Sequence, residues 1–182
     1  MSGKKWEFVE ESYTFGLKID CFRGMNQLLG EFPCKIDPKG RLRLPSSLLD
    51  QLPVDERDNF VVNRGFEKCL NLYPKKVWDE KSAQVNQLND FDTQARLFKR
   101  AFYRGATALK KDSADRLNFP NQLLEWAGME DGEVILAAVN DRIEVWAVKE
   151  YEAQMAAEPD SMAPLAQAVM GNNAGSVPSP GL

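Results

Sequence analysis

Lys39, Arg41 and Arg43 crowd into KIDPKGRLRLP (residues 35–45), and Arg116 stands in KKDSADRLNFP (110–120). These cations define the chemistry open to the chain. An arginine fork suits phosphate oxygens or the O6/N7 edge of guanine, and a lysine supplies a point charge for phosphate. Asp37 and Asp112 each stand four residues before an arginine, Arg41 and Arg116. That spacing has a second use. The aspartate can cap a turn while the arginine pairs back to it as a clamp. Gly40 permits a tight loop that brings backbone close to a ligand. On residue type alone, the clamp and the phosphate reader are both open.

The two segments are copies at an offset of 75 residues. Setting Gly30 on Gly105 aligns Lys35 with Lys110, Asp37 with Asp112, Arg41 with Arg116, Leu42 with Leu117, Pro45 with Pro120, Leu48 with Leu123 and Leu49 with Leu124. So many identities in one ungapped register mark an internal repeat. The copies differ where charge matters. Ala114 replaces Lys39, Asp115 replaces Gly40, and Asn118 replaces Arg43. An acid beside Arg116 would repel phosphate, so the first copy is expected to dominate any anion contact.

The elements that position these residues follow from pattern. Phe32, Cys34 and Ile36 alternate along an entering strand. DPKG has the residue order of a type I turn. The exit strand 41–45 turns Leu42 and Leu44 inward and Arg41 and Arg43 outward, because side chains alternate along a strand. A short helix follows Pro45, with Ser46 or Ser47 as cap and Leu48, Leu49 and Leu52 buried. Residues 60–74 read as a hairpin turning near Gly65. The second copy repeats the script: entering strand 106–111, turn DSAD, exit strand RLNF, a helix from Pro120 ended by Gly128, and a hairpin over 132–147 turning near Asn140-Asp141. Between the copies, 75–104 carries two helical stripes. Val77, Trp78, Val85 and Leu88 form one, and Phe91, Ala95, Phe98 and Phe102 the other, with a break at Asn89-Asp90.

The expected organisation is an extension at 1–24, a first repeat at 25–76, linking helices at 77–103, a second repeat at 104–152 and a tail at 153–182. The extension has no counterpart before the second copy and is expected to be poorly ordered, with Met25 a natural start. The alternation of Tyr13, Phe15, Leu17 and Ile19 leaves a strand there as the competing reading. The Ala-, Pro- and Gly-rich tail is expected to be disordered.

Composition removes whole classes of function. The chain holds 182 residues and no histidine, which excludes Ser/His and Cys/His catalysis and most transition-metal sites. Cys21, Cys34 and Cys69 show no paired spacing, against a disulfide scaffold or a zinc ribbon. No apolar run reaches the ~18–20 residues of a membrane span. Asp37 and Asp112 lack the Asp-Thr/Ser-Gly loop of a carboxylate pair at work, and no phosphate-binding glycine loop is present. An enzyme is not expected, nor a cofactor, a metal or a small-molecule substrate. Net charge is −4, but residues 96–111 hold six cations (Arg96, Lys99, Arg100, Arg104, Lys110, Lys111) and no acid. Local potential rather than net charge governs phosphate attraction. The plainer reading of that run is a solvated helix face. Phe91, Phe98 and Phe102 read as core or inter-subunit packing rather than base-stacking residues.

The paired motifs, their Leu-Pro-x-x-Leu continuations and Arg-Gly-Ala-Thr at 104–107 resemble the MraZ family, two-repeat members of the SpoVT-AbrB superfamily. The resemblance covers roughly residues 25–152. It implies an α+β fold of two pseudo-symmetric SpoVT-AbrB-like swapped-hairpin β-barrel repeats with intervening helices. It implies a cytoplasmic, nucleoid-associated DNA-binding regulator of the division and cell-wall gene cluster, acting on direct repeats upstream of its own operon. Its partners would be double-stranded DNA and itself, as a ring-shaped homo-oligomer, an octamer. Carried over by position, DNA reading falls first on Lys39 and Arg41 and second on Arg116, with Arg43 beside them as a further contact, and Asp37, Gly40 and Asp112 shape the turns. Two rivals stand beside it. An AbrB-type antitoxin would be expected to carry one motif copy and a toxin-binding tail. An oligomeric protein-interaction scaffold would explain the acidic charge and aromatic helices, but not the cations at the first turn.

Overall fold

The computed structural model describes residues 27–156 and 162–171. The extension at 1–24, with its alternating Tyr13–Ile19, lies outside them.

Each repeat opens with a strand, a turn and a short exit strand: β1 (Leu28–Lys35) and β2 (Arg41–Arg43), then β5 (Thr107–Lys110) and β6 (Arg116–Asn118). A proline starts the helix after each, α1 (Ser46–Leu49) and α4 (Asn121–Trp126). Pro45 and Pro120 sit at the caps with φ −61°, the angle their rings impose. The expected serine cap is absent: Ser46 is already helical, and the Leu48 and Leu49 amides donate to the Pro45 carbonyl. Hairpins β3 (Asn59–Arg64)–β4 (Cys69–Pro74) and β7 (Glu133–Asn140)–β8 (Arg142–Ala147) complete the repeats. The second turns at Asn140, a residue type that tolerates the φ of +59° found there. Between the repeats run α2 (Lys75–Asn86) and α3 (Thr93–Tyr103), the latter capped by Asp92, whose carboxylate accepts from the Gln94 amide at 2.8 Å.

The strands interleave the repeats. Six form one antiparallel sheet in the order β1-β7-β8-β4-β3-β5, and β2 pairs with β6 in a separate two-stranded ribbon. Each entering strand therefore pairs with the other repeat's hairpin: β1 with β7, and β5 with β3. Leu42 is the Cα partner of Leu117 across the ribbon, and Asn71 is the partner of Glu144 across β4–β8. Each pair unites residues at equivalent places in the repeat. A pseudo-two-fold axis thus runs from the ribbon, between the two leucines, to the middle of the large sheet.

The hydrogen-bonded ladder is not closed. β1 and β5 are its edges, and among the described residues no continuous barrel is traced. The turns after β1 and β5 lead into the ribbon, which lies over the sheet's inner face. Leu42, Leu117, Phe60, Leu70, Leu72, Leu136 and Ile143 fill the space between as one buried core. Outside the sheet, α2 and α3 cover Val61 and Tyr73, and Trp78 stacks on Phe102 at 5.0 Å and 10°.

Helices occupy part of the stretch expected to be disordered. α5 (Val148–Ala156) continues past residue 153, and α6 spans Met162–Gly171. Their Ala, Met, Leu and Gln content favours helix without requiring burial. Among the described residues, no helix is long and apolar enough to cross a membrane.

Candidate nucleic-acid interface

The two turns are built alike. Asp37 folds its carboxylate over its own loop. Oδ1 accepts from the Lys39 amide at 2.9 Å and the Arg41 amide at 3.0 Å, while Oδ2 accepts from Arg41 Nε at 2.7 Å and pairs with Nη2 at 2.6 Å. The Gly40 amide donates to the Asp37 carbonyl at 2.8 Å, and the Asp37 amide to the Arg41 carbonyl at 2.9 Å. Gly40 takes φ +78°, and a Cβ there would lie 2.7 Å from the Phe119 carbonyl oxygen. The Arg41 guanidinium, reinforced by these amides, holds the Asp37 carboxyl at about 2.

Around Asp112 the same bonds recur. Its Oδ1 accepts from the Ala114 amide at 2.8 Å and the Arg116 amide at 2.9 Å, and Oδ2 accepts from Arg116 Nε at 2.9 Å. Its acidity is also increased, chiefly by the Arg116 amide. Asp115 occupies the left-handed position of Gly40 with φ +59°. Its carboxylate does not face Arg116 unpaired: Lys111 Nζ lies 2.6 Å from its Oδ1. Lys111, read from the sequence only as one cation in a run, neutralises the substitution. Its four-residue spacing from Asp115 was the available signal.

The clamp is thus real in both copies. It uses Nε and Nη2 of each arginine and leaves Nη1 without a protein partner among the described residues. Fixing the guanidinium in one orientation is also what a bidentate reader needs, since less freedom is lost on binding.

The ribbon brings the sequence-predicted cations together. Arg41 is the Cα partner of Asn118, and Arg43 of Arg116. All four lie on the face opposite Leu42 and Leu117, which are fully buried. Two interstrand bonds cap the ribbon symmetrically, from the Phe119 amide to the Gly40 carbonyl and from the Leu44 amide to the Asp115 carbonyl, each 2.8 Å. Lys39 and Arg43 form no ion pair among the described residues, and Lys39 sits at the tip of the first turn. A two-stranded antiparallel ribbon matches the width of a DNA major groove.

The basic run at 96–111 divides. Lys99 Nζ is 2.6 Å from Asp90 and donates to the Leu88 carbonyl at 2.9 Å, tying α3 back to the loop before it. Arg96 donates to the Asp90 carbonyl at 2.8 Å. These cations hold the helices, whereas Arg100 and Arg104 form no ion pair among the described residues. Phe102 packs inside the aromatic cluster, while Phe91 is 92% exposed.

A family model described as "MraZ protein, putative antitoxin-like" matches the chain twice, over residues 27–101 and 102–171. A protein of Christiangramia forsetii named "Transcriptional regulator MraZ" is 37% identical over 150 residues, covering 82% of this chain and 96% of its own. Proteins of the same name from Flavobacterium psychrophilum and Desulforamulus reducens are 38% identical over 149 residues and 34% over 142. These cover 81% and 78% of this chain, and 94% and 96% of their own. The twofold match agrees with the internal repeat and with the doubled Asp-Arg clamp, and on these findings the chain belongs to the MraZ family.

Proposed function

We propose that this chain is a sequence-specific DNA-binding transcriptional regulator that presents the β2–β6 ribbon to the major groove. The relatives' shared name supports transcription regulation. The observation that carries the DNA contact is the placement of Arg41, Arg43 and Arg116 on one exposed ribbon face, with Lys39 at its tip. Phosphate contacts position such a protein, and base-edge contacts give sequence preference. Arg41, Arg43 and Arg116, flanking the central Leu42–Leu117 pair, are the base readers in this proposal, and Lys39 is a phosphate contact. The targets are direct repeats upstream of the protein's own operon, in the division and cell-wall cluster. The site of action is the nucleoid.

The interleaved pairing of β1 with β7 and β5 with β3 supports the swapped-hairpin arrangement. A homo-oligomeric ring agrees with the apolar side chains left exposed near α3. Phe91 and Leu97 are largely open to solvent, and α3 buries none of its residues. Such a patch on a monomer marks an interaction surface. A ring would set several ribbons along successive DNA repeats.

The test is binding of the full chain to the duplex upstream of its coding region, against a scrambled duplex, over a salt series. Wild type and Arg41→Ala are compared. Tight, sequence-dependent and salt-sensitive binding, lost in Arg41→Ala while the oligomer persists, is the expected result. Equal binding to both duplexes at every salt would overturn the reading and turn attention to a scaffold role.

A further inference from the structure

The far end of the pseudo-two-fold axis carries polar side chains where a sheet face should be apolar. Asn63, Asn71 and Glu144 line up across neighbouring strands β3, β4 and β8 as successive Cα partners. Asn63 is 2% exposed and Asn71 7%, and they are the buried polar residues of the described chain. Asparagine is disfavoured in strands and costly to bury without partners. Asn63 Nδ2 donates to the Phe102 carbonyl at 2.8 Å, yet its Oδ1 is buried with no partner. The Asn71 side chain makes no hydrogen bond among the described residues. Both line a cleft of about 470 Å³ between the sheet and α2–α3, within the usual size of a small-molecule site.

The walls of this cleft carry Arg64, Lys81, Arg104 and Arg142 against Glu67 and Glu144. Arg142 is held by Glu144 at 2.7 Å and Lys81 by Asp141 at 2.7 Å, so these charges are matched within the protein. Arg64 and Arg104, also in the lining, have no carboxylate partner among the described residues. Arg64 lies over the Trp126 ring at 4.8 Å, and its Nε is buried without an acceptor. The site therefore lacks two things: a donor for Asn63 Oδ1, and an anion for the two arginines.

We propose that this cleft binds a small organic anion that also carries a hydrogen-bond donor, with the chemistry of a nucleoside monophosphate. The phosphate meets Arg64 and Arg104, and an amino group of the base meets Asn63 and Asn71. The site is remote from the ribbon: the axis passes from Leu42 and Leu117, through the core, to Asn71 and Glu144. In this proposal the ligand is an effector rather than a substrate: Glu144, the carboxylate in line with Asn71, is already engaged by Arg142 and by the Trp146 indole N–H.

The probe is adenosine 5′-monophosphate, titrated into the full chain without DNA and followed by tryptophan fluorescence. Adenosine and inorganic phosphate form the control arms. The expected result is a saturable response, weaker with either control, that disappears in Trp126→Phe. Arg104→Ala, an exposed position that does not threaten folding, should weaken binding roughly tenfold or more, as loss of a charged hydrogen bond does. Asn71→Ala should weaken it as well, and Arg43→Ala should leave it unchanged. No saturable response at millimolar nucleotide would mean that the cleft holds water only, which overturns the proposal. So would a response lost in Arg43→Ala but kept in Arg104→Ala, which would place the nucleotide on the ribbon. A change of oligomeric size in Arg104→Ala without any nucleotide response would make the cleft a subunit contact, and the proposal would again fall.

Discussion

Arg43 and Arg116 face one another as Cα partners across the β2–β6 ribbon. In the repeat register, Arg116 corresponds to Arg41 and Arg43 to Asn118. The antiparallel pairing about Leu42 and Leu117 exchanges those partners, so each half of the ribbon joins one residue from each copy. Two like charges opposite each other weaken a strand pair. In the proposed complex that cost is recovered when DNA lies over both.

From this juxtaposition, Arg43→Ala should leave the free protein as stable as before or more so, by about 0.2–1 kcal/mol. The same change should weaken binding to the upstream duplex by about 1–3 kcal/mol and relax the preference over a scrambled duplex. Urea unfolding and fluorescence anisotropy over a salt series measure the two effects. Lost stability with DNA affinity intact would show that Arg43 is a packing residue.

The Asp37 clamp predicts a signature in acid. The folded carboxyl sits at about 2, below its ordinary 3.8. A depressed folded value means that its contribution is fully present above the ordinary value. It is lost as pH falls from there through the folded value. Asp37→Asn should therefore be less stable than wild type at neutral pH, and the gap should narrow between about pH 4 and about pH 2. Urea midpoints across that range check this, and a gap independent of pH would contradict the clamp.

Gly40 has little freedom to change. Its φ of +78° and the 2.7 Å approach of a Cβ to the Phe119 carbonyl both oppose a side chain. Gly40→Ala should cost about 1–3 kcal/mol, the usual range for a strained backbone site. It should also pull β2 from β6, because the Phe119 amide donates to the Gly40 carbonyl. Thermal unfolding and amide exchange at Phe119 report the two consequences separately.

Leu117 holds the ribbon to the core from the side away from solvent, and it is fully buried. Leu117→Ala should destabilise the chain by about 2–5 kcal/mol. Below the unfolding transition, DNA affinity should fall less than in Arg116→Ala, since the cations remain on the outer face. Denaturant unfolding paired with binding at low temperature distinguishes the effects.

Much of this was legible locally. Alternation placed Leu42 beneath Arg41 and Arg43, because side-chain direction follows strand period whatever the partner. The hairpins at Gly65 and Asn140-Asp141, and the break between α2 and α3 at Asn89-Asp90, are likewise local turn chemistry. The neutralised Asp115 was half visible. Lys111 stands four residues earlier, but four-residue spacing implies contact only once the turn folds the chain back.

The repeat, the two Asp-Arg turns and the residues on each strand face can be read along the chain, since all follow from short-range sterics and periodicity. Folding alone brings β1 to β7, β5 to β3 and Arg43 to Arg116, and sets Asn63 and Asn71 beneath a cleft that Arg64 and Arg104 line. Those contacts join residues far apart in the chain. Their register is set by how two apolar faces share one core, and no local window of the sequence contains that information.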